Sequence, residues 1–338
     1  MSEFCRILAK AVSKNNLESH EAQSALECII DGSATPIQAG SLLTALRMKG
    51  ETTEEICAFL EVMKKHGVKV DAEGEHLVDT AGTGGDGKHT FNISTAAALV
   101  ASGAGARLAK HGNRAASSRS GSADVLEALG VNIQIGKEEN ELQLREIGFT
   151  FLFAPLFHPA MKNIGPVRKD LGFKTLFNVM GPLLNPANAK RQLIGVYDRE
   201  ILEKMVEAAK RMGMEKVVFA SSDIDEISIS SPTLIVEVEK EREKRYEINP
   251  EDFGFRKRGL EELRVDDSKE SAQRIIEVLE GEHGASRDVV LLNAAAAIYA
   301  SGLSPSIKHG ISMAEESIDK RKAIKKLKEL KEWKKAQT

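Results

Sequence analysis

Residues 79–95 run Asp-Thr-Ala-Gly-Thr-Gly-Gly-Asp-Gly-Lys-His-Thr-Phe-Asn-Ile-Ser-Thr, so four glycines (Gly82, Gly84, Gly85, Gly87) fall within six positions. The apolar pair Leu77-Val78 precedes them, and a helix-like run over 96–101 follows. Strand, glycine loop and helix N-terminus in that order turn backbone N–H groups and the positive end of a helix toward one point, which suits an anion. A tight turn without a ligand is the alternative. Asn92, Ser94 and Thr95 stand at the helix entrance and add side-chain donors, which favours phosphate.

Two familiar motifs fit this loop by letter. Gly82-x-Gly84-x-x-Gly87 has the dinucleotide spacing, but that fingerprint also wants an acidic residue about 20 positions later to hold a ribose. Residues 107–114, Arg-Leu-Ala-Lys-His-Gly-Asn-Arg, are basic instead. Gly82-x-x-x-x-Gly87-Lys88 makes most of a Walker loop, yet His89 stands where Ser or Thr would bind magnesium. Neither motif is satisfied.

Upstream, the first 67 residues predict a helical unit. Phe4, Ile7, Leu8 and Val12 recur at helical spacing, and a second helix follows from Ser19 to Ile30. Thr35-Pro36 predicts an N-cap with proline at the first helical position, closed by Gly50. Thr52-x-x-Glu55 is a capping box for a fourth helix ending at Gly67. With no catalytic constellation in it, this unit reads as a scaffold or a dimerisation surface.

From Leu77 the pattern alternates between strand and helix, as in an α/β domain. Strands are predicted at 77–80, 107–109, 131–133, Phe149–Phe153, 193–197 and 217–220, with an antiparallel pair at 234–238 and Arg242–Ile248. Helices are expected at 94–102, 122–129, 138–147, 200–212, 268–279, 289–299 and 311–330. Between Pro155 and Pro186, prolines and glycines break short helical pieces, with Pro166 near one helix start; this excursion can pack beside the N-terminal helices. The lysine-rich end keeps Ile324, Leu327 and Leu330 on one side, as a docked amphipathic helix would; membrane or nucleic-acid attachment is the alternative.

A net charge of −3 over 338 residues gives no electrostatic case for nucleic acid or an acidic membrane. No basic-then-apolar leader opens the chain, and no stretch nears the roughly 20 apolar residues of a membrane span. Cys5, Cys28 and Cys57 fit no zinc spacing and lie on apolar helix faces, so they read as reduced packing residues in a cytoplasmic protein.

A second glycine- and serine-rich loop, 110–122, repeats the anion-binding logic after the next strand, with Lys110, Arg114, Arg119, Ser117, Ser118 and Ser122 as cations and donors. A parallel sheet would gather both loops at one crevice. Asp225-Glu226 follows a later strand and, beside a polyphosphate, could hold Mg²⁺. Arg168 could grip a carboxylate or pair with Asp170. No Ser/His/acid triad or reactive cysteine is evident; the inventory suits binding a phosphorylated, metal-chelated donor and an acidic acceptor.

Taken in order, several segments make the chain resemble the anthranilate phosphoribosyltransferase family along nearly its whole length. They are Gly82-Thr-Gly-Gly-Asp86, Asn92-Ile-Ser-Thr95, Lys110-His-Gly-Asn-Arg114, Ser120-Gly-Ser-Ala-Asp124, His158-Pro-Ala-Met-Lys162, Pro166-Val-Arg168, Phe177-Asn178, Gly181-Pro182-Leu183, Asn185-Pro186 and Asp225-Glu226. The resemblance implies a small helical domain (1–70 and 165–190) and a larger α/β domain (71–164 and 191–338) whose mainly parallel central sheet is flanked by helices. It implies a homodimer formed through the helical part.

The implied activity, in tryptophan biosynthesis, moves 5-phosphoribose from phosphoribosyl diphosphate to the amine of anthranilate and releases diphosphate. By the same resemblance Gly82, Gly85, Asp86, Thr90, Asn92, Ile93, Ser94 and Thr95 bind the donor, completed by Lys110, His111, Gly112, Asn113, Arg114, Ala115, Ala116, Ser117, Ser118 and Ser122. Asn113 and Arg168 contact anthranilate, with Gly82 close by and His111 and Pro182 lining the route. Ser94, Asp225 and Glu226 serve Mg²⁺, as two ions per subunit. Asn163 departs from the pattern, standing where many members carry histidine; Pro155-Leu156 and Ser221-Ser222 also look atypical. The alternatives are a pyrimidine-nucleoside phosphorylase-like enzyme of the same superfamily and a non-catalytic relative that binds nucleic acid. Small molecules are otherwise the expected partners, with neither nucleic acid nor membrane among them.

Overall fold

The computed structural model describes residues 2–72, 74–115 and 119–333. Helices α1 (Glu3–Val12), α2 (Ser19–Ile30), α3 (Pro36–Lys49) and α4 (Thr53–His66) open the chain. Their ends fall where the sequence predicts. The Thr35 hydroxyl accepts the Gln38 N–H ahead of Pro36, Gly50 caps α3 at φ 85°, and the Thr52–Glu55 box is formed. Buried Glu55 also takes the Lys49 ammonium (2.8 Å) and the Leu17 N–H (2.8 Å), joining the ends of α3 and α4 to the α1–α2 turn.

The alternating part begins with β1 (Leu77–Gly82), α5 (Ile93–Gly103), β2 (Arg107–Gly112), α6 (Ser122–Ala128), α7 (Lys137–Ile147) and β3 (Phe149–Phe153). Next come α8 (Ala154–Phe157), α9 (Met161–Leu171) and α10 (Leu176–Met180). Then follow β4 (Arg191–Gly195), α11 (Arg199–Arg211), β5 (Lys216–Ser221), β6 (Thr233–Glu239) and β7 (Arg242–Ile248). Four helices finish the chain: α12 (Ser268–Glu280), α13 (Ala285–Ser301), α14 (Ile307–Asp319) and α15 (Lys322–Glu332).

The seven strands order as β3-β2-β1-β4-β5-β6-β7. The first five are parallel and the last two antiparallel. The chain walks one way from β1 to β3, then returns to lay β4 on the other side of β1. Loops leaving β1 and β4 therefore part in opposite directions and open a crevice at the strand C-termini. Both sheet faces are covered: Val218 and Ala220 of β5 join the core beneath α5 and α13, while Val217 and Phe219 face α11 and the helical unit. Along α5, a Cβ on Gly103 would lie 2.3 Å from Ser317 Oγ and 2.7 Å from Ala323 N, so glycine lets α5 reach the backbone of the last helices. As expected, α9 packs on α2 and α3, and α10 on α3 and α4.

Three expectations are corrected. Residues 131–133 form no strand: Val131 and Ile133 turn inward and are buried, but the segment pairs with no strand of the sheet. Alternation reports which side is buried, not whether a hydrogen-bonding neighbour exists. The helix expected over 311–330 is two helices, broken where Arg321 takes φ 62° and donates to Glu280 O (3.2 Å). Pro166 sits inside α9 rather than near its start. The tail does dock: Ala323, Leu327 and Leu330 are buried in the main core. No described helix is long and apolar enough to cross a membrane.

Candidate active site

Three strand ends meet at the crevice. Beyond β1, the Thr83 N–H donates to Gly195 O at the end of β4 (2.9 Å), and the Gly84 N–H donates to Asp225 Oδ2 in the loop after β5 (2.8 Å). Glycine is needed at both strand ends, because a Cβ on Gly82 would stand 2.5 Å from Asp225 Oδ2 and one on Gly195 only 1.6 Å from the Asp225 carbonyl. Within the turn, Gly84 and Gly85 take φ 67° and 78°, which other residues adopt at a cost. The loop's far limb, which carries Thr90, is pinned by Phe91 N–H to Leu263 O (2.9 Å) and Val265 N–H to His89 O (3.0 Å).

Asp225 and Glu226 are held from behind. Asn293 of α13 accepts the Ile227 N–H (2.9 Å) and donates to Ile227 O (2.9 Å), while the Ser222 hydroxyl donates to Glu226 O (2.9 Å). Burial, reinforced by the nearby Asp86 charge, pushes Asp225 up to about 6. Burial and then the Asp225 charge raise Glu226 well above its usual range, against the pull of Lys110 and the Ser94 hydroxyl. Asp86 Oδ1 accepts the Lys88 N–H (3.0 Å), whereas its Oδ2 is buried without a hydrogen-bond partner among the described residues. Crowded carboxylates with an orphaned oxygen are a cluster short of positive charge, and hard oxygen donors suit Mg²⁺. Among the described residues no three His, Cys, Asp or Glu side chains form a preformed cage.

Lys110 at the end of β2 lies beneath the helix entrance. Its ammonium donates to Thr80 O (2.5 Å), Thr80 Oγ1 (3.2 Å) and Ser94 Oγ (3.3 Å), and burial lowers its pKa against the opposing pull of Asp79 and Glu226. Around α5, Thr95 and Ile93 are buried and the Thr95 hydroxyl donates to the Asn92 side chain. Ser94 and the first-turn N–H groups are what this entrance can offer a ligand.

The second loop is shaped by Asp124, whose Oδ2 accepts the Ala115 (2.9 Å) and Gly121 (3.0 Å) N–H groups. At Gly112, a Cβ would stand 2.2 Å from Ser122 Oγ. Asn113 is exposed. Arg114 is committed to Asp124 (3.1 Å) and Glu127 (2.5 Å) above the Phe153 ring, and Arg119 pairs with Asp266. Ala116, Ser117 and Ser118 lie outside the described residues.

On the opposite wall, Arg168 of α9 donates to Asn178 Oδ1 (3.2 Å) and rests 5.4 Å from the Phe177 ring centroid. It does not pair with Asp170: no carboxylate among the described residues lies within ion-pair distance of this half-buried guanidinium. His111 faces His158, Nε2 to Nε2 at 3.1 Å, and burial pushes them down to about 3 and about 4. Both rings are neutral at pH 7, so one donates and the other accepts. His111 also meets the Gly181 backbone beside buried Pro182. Asn163 donates to Ile30 O (2.9 Å), so its side chain fastens α9 to the end of α2.

Sequence reasoning missed Lys174, which stretches from the segment before α10 to Gly85 O (3.0 Å) and Gly84 O (3.4 Å) with its ammonium 4.9 Å from the Tyr197 ring centroid. Asn185, noted in the sequence only as part of the Asn185-Pro186 segment and given no role there, donates to Asp79 Oδ2 and Ala109 O (both 2.7 Å) and so ties β1 to β2 beneath the site. No local pattern marks Lys174 or tells what Asn185 holds. The wide sequence separation of their partners is the reason.

Residues 74–324 match the family described as the glycosyl transferase family, a/b domain, and residues 6–67 match its helical bundle domain. The anthranilate phosphoribosyltransferase of Thermoanaerobacter sp. (strain X514) is 47% identical over 328 residues, 96% of this chain and 97% of that one. The Rubrobacter xylanophilus protein of the same name is 48% identical over 94% of this chain and 93% of its own. Among solved structures, anthranilate phosphoribosyltransferase from Thermus thermophilus superposes with a TM-score of 0.89 at 40% identity, covering 96% of this chain and 98% of that one. The Saccharomyces cerevisiae enzyme in complex with PRPP and Mg gives 0.88 at 30% identity, covering 97% and 96%.

Proposed function

Since the chain belongs to the anthranilate phosphoribosyltransferases of this glycosyl transferase family, we propose how its own residues carry out the transfer. The enzyme moves 5-phosphoribose from phosphoribosyl diphosphate to the anthranilate amine, giving N-(5-phosphoribosyl)anthranilate and diphosphate. In our reading the glycine loop and the first turn of α5 cradle the donor, with the 110–122 loop closing over it. Asp225, Glu226 and Ser94 hold Mg²⁺, as two ions. Bound there, Mg²⁺ offsets the charge growing on the departing diphosphate. Asn113 and Arg168 orient anthranilate, its carboxylate meeting a guanidinium that has no acid partner among the described residues, and His111 and Pro182 line its approach.

Donor C1′ then loses diphosphate through an oxocarbenium-like state while the amine attacks from the opposite face. No protein nucleophile takes part, so positioning and charge stabilisation supply the rate. We further read residues 1–70 and 165–190 as the helical domain, the remainder as the α/β domain, the assembly as a homodimer, and the setting as tryptophan biosynthesis in the cytoplasm. Nucleic-acid binding is disfavoured by the pairing of basic groups with acids: Arg114, Arg119 and the tail lysines Lys320, Lys322, Lys325, Lys326 and Lys328 all have carboxylate partners.

One observation carries this reading: the Gly84 N–H on Asp225 joins the anion-binding turn to the carboxylate pair across two strand ends. The test follows anthranilate fluorescence with donor and Mg²⁺, omitting each in turn. Loss of signal change in either omission is expected. Consumption without the donor, or conversion of a pyrimidine nucleoside and phosphate instead, would overturn the assignment.

A further inference from the structure

Lys174 occupies an unusual position for a lysine. It leaves the segment between α9 and α10, on the wall that carries Arg168, and crosses to the glycine loop. Its ammonium is half-buried and finds two backbone carbonyls and the Tyr197 ring, with no carboxylate among the described residues in ion-pair range. The fit requires glycine: a Cβ on Gly85 would stand 2.2 Å from Lys174 Nζ.

The consequence follows from peptide planarity. In a trans peptide the C=O of one residue and the N–H of the next point in opposite directions. Lys174 draws the carbonyls of Gly84 and Gly85 to its own side, so the N–H groups of Gly85 and Asp86 face away from it. The Gly84 peptides are thus fixed at both ends, by Asp225 through the N–H and by Lys174 through the C=O. A cation on a carbonyl also polarises the peptide and strengthens its N–H as a donor. On the other side, Asn178 Oδ1 accepts both the Thr175 N–H (3.1 Å) and Arg168 Nη2 (3.2 Å), so the lysine's anchor shares a hydrogen-bond acceptor with the acceptor-side guanidinium.

We propose that Lys174 is a positioning residue for the donor: by gripping the Gly84 and Gly85 carbonyls it turns the Gly85 and Asp86 N–H groups toward the diphosphate, linking the cradle's shape to the Arg168–Asn178 wall. This rests on reading the glycine loop as the donor cradle.

Lys174→Met keeps the stem and removes the donors. It should raise the donor KM about tenfold or more while leaving the anthranilate KM within twofold and the melting temperature unchanged. Lys174→Arg should bring the donor KM back to within threefold, a rescue that a merely space-filling stem would not show. A donor KM within twofold of the parent in Lys174→Met, an equal rise in both KM values, or no rescue by arginine would each overturn the inference. If Lys174→Met misfolds, the donor KM of Lys174→Leu, which likewise has no donor, carries the same test. Asp86→Asn separates the two layers. A raised donor KM there beside an unmoved one in Lys174→Met sinks the lysine's role alone, whereas no change in either sinks the cradle reading itself.

Discussion

At the scale of single residues, the site is a set of charges left without local partners. Arg168 has an amide and a ring but no acid among the described residues, and Asp225, Glu226 and Asp86 crowd together with the buried Lys110. The carboxylates make a prediction whose sign is determined. The folded value of Asp225, about 6, stands above its unfolded value of 3.8, so its protonated form favours folding. That contribution is complete below 3.8 and is lost as pH rises through about 6, and Glu226 adds in the same direction. Mg²⁺ bound to the ionised pair must displace those protons, so its stabilising effect grows over the interval in which the metal-free enzyme weakens. Melting curves with and without Mg²⁺ should nearly coincide at pH 5 and separate progressively above pH 6. An equal Mg²⁺ shift at pH 5 and pH 7.5 would show that these carboxylates are not the ligands.

At the scale of elements, the strand ends decide whether those charges meet. Gly195 ends β4 against the Asp225 carbonyl, and a methyl group there would overlap it at 1.6 Å. Gly195→Ala should therefore push the Asp225–Glu226 loop outward. Overpacking of this kind costs roughly 1–3 kcal/mol of stability, but the larger effect is expected on catalysis, with kcat/KM falling about 100-fold and more Mg²⁺ needed for half-maximal rate. Steady-state kinetics over a Mg²⁺ series checks this; unchanged Mg²⁺ dependence would mean that the strand-end contact does not position Asp225 and Glu226 for the metal. Elements whose determinants are local were legible in the sequence: the Thr35-Pro36 cap, the Thr52–Glu55 box, the glycine turn and the acidic pair. The unpaired run at 131–133 and the break at Arg321 were not, because a missing neighbour and a left-handed arginine leave no periodic trace. Within the site the same divide holds. The loops were visible, but Lys110 turning under Thr80, Arg114 turning to Glu127 and Lys174 reaching 89 residues back to Gly85 depend on partners that only the fold supplies.

At the scale of the whole molecule, the helical unit has more apolar surface than a scaffold for one site requires. Val12, Ile37 and Met48 are 62%, 83% and 73% exposed, and they rim a depression of about 650 Å³ between α1, α3 and α9. Large apolar side chains grouped in this way mark an association surface more often than bare solvent exposure. The depression includes Val167 and Leu171 of α9, the helix that carries Arg168, so pairing there would brace that helix. A homodimer through this face is expected, with light scattering giving twice the 36.8 kDa of one chain. Replacing Val12 and Ile37 by lysine would set like charges across a two-fold interface and should yield monomers at micromolar concentration. The crevice at the strand ends is built from β1, β4 and β5 of the α/β part, away from this face, so those monomers should keep turnover within a few fold and lose mainly thermal stability. Wild-type protein that scatters as a single chain at all concentrations would remove the dimer from this account, and lysine variants that stay dimeric would move the interface to another face.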